Sequence, residues 1–149
     1  MRTIKQAGEY ELEVKKSRFL CALQRVSTED EARDFILQRR KLHHEARHNC
    51  SAFVVGDDGR VQKSSDDGEP AGTAGIPMLE VLRRNEVTNV VAVVTRYFGG
   101  VLLGAGGLVR AYSSAVSGAL EQVGLVERQP VRIVSTTVDY QLAGKLENE

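Results

Sequence analysis

Charge of one sign is missing from this sequence. Its 149 residues carry 20 Lys and Arg against 20 Asp and Glu, a formal net charge of +0 at pH 7. A protein that coats nucleic acid through bulk positive charge is thereby excluded, and any phosphate binding must come from a local patch. Cysteine is scarce as well. Cys21 and Cys50 are the only two, with no CxxC pair and no Cys/His ligand spacing. A disulfide framework and a zinc site are therefore not expected, and the composition suits a reducing cytosol. Long apolar runs are absent too: none exceeds Val90–Val94, which falls far short of a bilayer span. The N-terminal residues lack the apolar core of a signal peptide. The expectation is a cytoplasmic protein that makes no membrane contact.

What is present is enough apolar sequence, 42% of residues, to bury a core for one domain of ordinary size. Tyr10, Leu12 and Val14 alternate with charged residues in the manner of a half-buried strand. The turn-like Lys15-Lys16-Ser17 then leads into a second run, Phe19–Leu23, and the two read as a hairpin. Ser27 offers a helix cap, with Glu29, Asp30 and Glu31 in the first turn and Arg39, Arg40 and Lys41 at the far end. Cys50–Val55 reads as a strand buried on both faces, turning at Asp57-Asp58-Gly59 into Val61–Ser64. A helix over Gly75–Arg84 follows, with Thr73 as its cap and Pro77 in its first turn. Val90–Phe98 reads as a central strand, Gly99–Gly107 as a glycine-rich turn, and Leu108–Val123 as a long helix stopped by Gly124. Arg132–Tyr140 alternates again as a strand, and Gln141–Glu149 reads as a helix start. One strand and one helical turn cannot bury a core alone, so that segment either packs on the main domain or opens a second one.

Two loops stand apart. In Arg96–Tyr112, the glycines at 104, 106 and 107 let an anion approach backbone amides at a helix start. Gly99 and Gly100 belong to the same turn, Arg96 and Arg110 could flank it, and Tyr97 and Tyr112 offer ring faces for stacking on a base. The competing reading makes the glycines close-packing positions and the arginines ion-pair partners. The spacing matches neither the dinucleotide fingerprint nor the P-loop. In Ser65–Gly75, Asp66, Asp67 and Glu69 could hold Mg²⁺ beside a phosphate, cap the next helix, or pair with Arg96 and Arg110; the pairing is preferred. His48 and Cys50 share a strand face, but without an orienting group or oxyanion hole they read as a strand-edge histidine and a structural thiol. No catalytic or metal-ligating residue is assigned.

The segment Ala46-Arg47-His48-Asn49-Cys50, the loop Ser65–Gly75 and the stretch Val93–Tyr112, with Lys16-Ser17-Arg18-Phe19 before them, resemble the YigZ/IMPACT family. The resemblance runs from about residue 9 to residue 123. It implies an α+β, two-layer sandwich like the second domain of ribosomal protein S5, with a mixed sheet and helices on one face. It also implies a boundary near residue 128, with 129–149 opening a ferredoxin-like second domain that this chain cuts short. Eukaryotic members regulate translation by competing for a ribosome-associated activator of a stress kinase, and nucleic-acid or ribosome binding is the usual proposal for bacterial ones. The function so implied is a non-catalytic, translation-linked module contacting RNA, the ribosome or a translation-associated protein, with no cofactor. The alternatives are a Mg-dependent enzyme acting on a phosphorylated small molecule, suggested by a related kinase fold, and a pure protein-interaction domain.

Overall fold

A computed structural model describes residues 1–128. The expected strand Arg132–Tyr140 and helix start Gln141–Glu149 lie outside them. Three helices and two sheets make up the described chain. The main sheet has five strands: β2 (Gly8–Val14), β3 (Ser17–Arg25), β4 (His48–Val55), β5 (Val61–Ser65) and β6 (Val90–Tyr97), in the order β2-β3-β6-β4-β5. The helices are α1 (Glu29–Leu42), α2 (Gly75–Arg84) and α3 (Gly104–Val123). Two three-residue strands, β1 (Arg2–Ile4) and β7 (Leu125–Glu127), pair antiparallel beside the main sheet. Neither was expected, because three residues are too few to display a period.

The class is α+β, but two details of the expected sheet are corrected. Every pairing in the five-stranded sheet is antiparallel, so it is not mixed. The helices also divide between both faces. Along β6, Val90, Ala92 and Val94 face α2 and α3, together with Met78, Leu82, Tyr112 and Val116. The alternate residues Val91 and Val93 face α1, joined by Ala32, Phe35 and Phe53. Strands apolar on both sides demand a cover on both sides, since each buried valine contributes roughly 1.5–3 kcal/mol only when water is excluded from it.

Local chemistry explains the turns and caps. Lys15 and Lys16 both take positive φ, 47° and 70°, which joins β2 to β3 by a two-residue turn of the hand that matches strand twist. Thr28, one residue after the expected Ser27, caps α1 by accepting from the Glu31 amide at 3.1 Å. The Glu31 carboxylate in turn accepts from the Ser27 amide at 2.7 Å. Thr73 does not cap α2, because its hydroxyl donates to the Pro70 carbonyl. Asp66 does so from a distance, accepting from the amides of Ala74 at 3.2 Å and Gly75 at 2.8 Å. Helix α3 starts at Gly104, four residues before the expected Leu108, so the last glycines of the expected turn form its first turn.

Gly99 is the position where side-chain size decides the local path. A Cβ there would lie 2.0 Å from the Lys16 carbonyl oxygen, so the loop after β6 runs directly against the β2–β3 turn. Gly99→Ala is expected to destabilise the fold by about 1–3 kcal/mol, read as a lowered urea midpoint at unchanged m-value. An unchanged midpoint would show that the loop and hairpin do not touch.

Candidate functional site

The strand β6 delivers Arg96 to the α3 side of the sheet, and the sequence around it closes a buried polar cluster. Arg96 is 6% exposed. Its Nη1 donates to both oxygens of Glu69, at 3.2 and 2.9 Å, and its Nε and Nη2 reach the Ser17 hydroxyl at 3.4 and 3.3 Å. The guanidinium carbon lies 5.5 Å from the ring centres of both Phe19 and Phe98. Tyr112, fully buried, donates its hydroxyl to Glu69, and the Cys50 thiol donates to the Tyr112 oxygen at 3.4 Å and the Asp66 carbonyl at 3.0 Å. Burial pushes both the Cys50 thiol and the Tyr112 hydroxyl well above their ordinary ranges. Neither group is an available nucleophile or base, and the thiol is structural.

Over this cluster opens a cleft of about 420 Å³. Its floor is Glu69, Arg96 and His48, its apolar wall includes Phe98, Leu103 and Leu108, and Gly104 and Ala105 at the start of α3 stand at its edge. No side chain caps α3 and its first turn holds no acid, so the dipole and amides of a twenty-residue helix begin beside the cleft. Arg110 lines a second, smaller hollow of about 210 Å³ with Lys15, and Leu103 forms the ridge between the two.

The expected site residues therefore separate into different places. Arg96 and Arg110 do not converge on one spot: the first is buried and engaged by Glu69 and Ser17, and the second is exposed across the Leu103 ridge. Tyr112 cannot stack on a ligand, because it lies on the buried stripe of α3, edge-on to Phe19. Tyr97 points to the opposite face, where its hydroxyl meets His43 Nδ1 at 2.6 Å and Arg18 covers its ring. Gly99 and Gly100 shape the loop, while Gly104, Gly106 and Gly107 form the first turn of α3, exposed at Gly104 and Gly106 and half-buried at Gly107. The three acids have separate structural duties. Glu69 pairs with Arg96, Asp67 with Arg40 at 2.5 Å, and Asp66 with the backbone at the head of α2. With each carboxylate engaged in this way, the loop is not arranged to hold Mg²⁺, and only Glu69 makes the preferred pairing.

Two residues not singled out in the sequence stand at the cleft. Phe98, 50% exposed, presents the aromatic face at the cleft. Arg47 stands exposed at its rim. Among the described residues Arg47, Arg110, Lys15 and Lys16 make no ion pair; Arg47 lines the cleft beside the head of α3, Arg110 and Lys15 line the neighbouring hollow, and Lys16 adjoins the Gly99 loop. No helix among the described residues is long and apolar enough to cross a membrane.

Comparison with known proteins places these features in a context. The Impact N-terminal domain matches residues 15–120. IMPACT family member YvyE of Bacillus subtilis (strain 168) is 56% identical over 147 residues, covering 99% of this chain and 68% of that protein. IMPACT family member YigZ of Escherichia coli (strain K12) is 45% identical over 135 residues, covering 89% of this chain and 66% of that protein. A crystal structure described as that of a hypothetical protein overlays with a TM-score of 0.81 at 44% identity, covering 87% of this chain and 64% of that one. The chain thus spans about two thirds of the length of these relatives.

Proposed function

The chain belongs to the Impact N-terminal domain family, and from that premise we propose that it is a non-catalytic binding module in translation that grips single-stranded RNA at the head of α3. The translational part of this reading rests on what the resemblance implies for eukaryotic members, to which this chain is also related. The binding part rests on one observation. Three unpaired cations, Arg47, Arg110 and Lys15, flank an uncapped helix start and an apolar cleft, in a protein whose net charge is +0. Exposed cations without carboxylate partners are available to phosphates, whereas a cleft walled by Phe98 and Leu103 suits an unstacked base. The boundary near residue 128 and a second domain beyond it belong to this proposal as well.

Fluorescence anisotropy with a labelled single-stranded oligoribonucleotide, titrated between 50 and 200 mM salt, tests it. Each phosphate contact contributes a slope of about −0.7 in log affinity against log salt. The Arg47→Ala/Arg110→Ala double variant is expected to weaken binding and to flatten the slope by about 1.4. Arg96→Ala is not a substitute for it, because Arg96 is a buried fold element. Affinity that ignored both salt and these substitutions would refute RNA binding at this face.

The exposed apolar rim favours one second reading. Leu102 is 81% exposed and Val101 40%, beside Phe98. A translation-associated protein would bury them, and its binding would depend on Leu102→Ser more than on salt.

A further inference from the structure

The cleft floor sets His48 Nε2 beside Glu69 Oε1 with no hydrogen bond between them. His48 Nδ1 lies 2.9 Å from the Asp67 carbonyl oxygen, which can only accept. Nδ1 therefore carries a proton, and in the neutral ring Nε2 is an acceptor. Nε2 sits 3.7 Å from Glu69 Oε1, and both residues line the cleft. Arg96 and the Tyr112 hydroxyl hold the Glu69 carboxylate in place from behind, so it cannot turn away. Its Oε1 accepts from Arg96 at 3.2 Å and retains a second lone pair. An acceptor pair in this position calls for a ligand that brings two donors side by side.

We infer that this subsite takes a guanine base, with its N1–H and N2 amine directed at His48 Nε2 and Glu69 Oε1; the inference rests on the RNA-binding reading above for the source of the base. Guanine is the standard base whose pairing edge carries two adjacent donors. Adenine and cytosine each set a ring acceptor beside their single amine. Uracil sets a carbonyl on either side of its one N–H, and either carbonyl would meet an acceptor here. The free face of Phe98, whose other side carries the Arg96 guanidinium, lies along the wall where a base plane would stack. The volume of about 420 Å³ falls within the usual range for a small-ligand pocket, about 300–1,000 Å³. Arg47 at the rim stands where the attached phosphate would leave the cleft.

The test compares oligouridylates of equal length that differ at one central position, carrying guanosine, inosine or uridine, against the full chain and His48→Phe. Inosine keeps N1–H and lacks the N2 amine, so it probes the acceptor pair from the ligand side even if His48→Phe fails to fold. Guanosine is expected to bind on the order of tenfold tighter than uridine, with inosine losing most of that margin. His48→Phe is expected to bind all three alike, near the uridine level. A second arm measures thermal stabilisation by guanosine monophosphate and by uridine monophosphate. If every oligonucleotide binds equally, the guanine subsite is overturned and RNA binding stands. If the guanine mononucleotide alone binds and no oligonucleotide does, the subsite stands and the RNA reading falls. If nothing binds, both are overturned.

Discussion

Glu69→Ala is expected to remove about 3–5 kcal/mol of folding stability, a large share of the roughly 5–15 kcal/mol typical of a domain. The size follows from what the substitution leaves behind. Arg96, 6% exposed, would keep only the Ser17 hydroxyl and the two phenylalanine faces as partners. The buried Tyr112 hydroxyl would lose the carboxylate that accepts from it. A buried charge without its counterion costs far more than the pair contributes when intact, so the loss measures the orphaned guanidinium and not the strength of the bond. Replacing both partners by apolar residues, Glu69→Leu with Arg96→Met, is accordingly expected to recover most of the stability lost in the single variant. Urea unfolding of the two single variants and the double variant measures this directly. A Glu69→Ala loss below about 1 kcal/mol would mean that water reaches the pair and that Arg96 is free to contact a ligand after all.

The Glu69–Arg96 pairing was the preferred reading of the acidic loop, whereas the expectation that Arg96 also faces a ligand was not met. The chemistry of Arg96 is visible in the sequence, but whether it faces a ligand or a carboxylate depends on the Ser65–Gly75 loop folding over it. The aromatic assignments were recoverable. Arg96 and Phe98 share a parity that Tyr97 does not, and the structure sets Phe98 against Arg96 while Tyr97 turns to His43. Tyr112 lies on the stripe Leu108, Ala111, Tyr112, Ala115, Val116, Ala119, spaced as a buried helix face is. Helix α2 and strand β6 were legible because their apolar patterns are long and sharply bounded. The placement of α1 was not, since strands apolar on both faces do not say which helix covers which. Gly104, Gly106 and Gly107 read as a loop because glycine is a poor helix former, yet the rest of α3 carries the helix through them. Arg47 lies in a segment that carries the family resemblance, but its exposure at the cleft rim without an ion-pair partner among the described residues is visible only in three dimensions.

Asp66→Asn is expected to cost about 2–4 kcal/mol at neutral pH, and that cost is expected to shrink in acid. The Asp66 carboxylate accepts from three amides: Gly72 at 2.9 Å, Ala74 at 3.2 Å and Gly75 at 2.8 Å. Those of Ala74 and Gly75 belong to buried residues at the start of α2, a helix whose own cap position, Ala74, has no side chain to offer. A neutral amide oxygen accepts more weakly, and its NH₂ would confront donors. Burial by itself would raise the Asp66 carboxyl, but the three backbone donors prevail and hold it below its ordinary value of 3.8. The sign of the pH dependence follows. Between the lowered folded value and the ordinary unfolded one, the unfolded chain binds more protons, so stability rises with pH there. The contribution is complete above the ordinary value and is lost as pH falls through the folded one. Urea midpoints measured from neutral pH down into that acid range should therefore converge for wild type and Asp66→Asn. Parallel curves with a constant gap would show that the carboxylate carries no differential charge between the folded and unfolded chains. The head of α2 would then be held by the packing of Gly75 against the Ser65 backbone, where an added Cβ would lie 2.7 Å from the amide nitrogen.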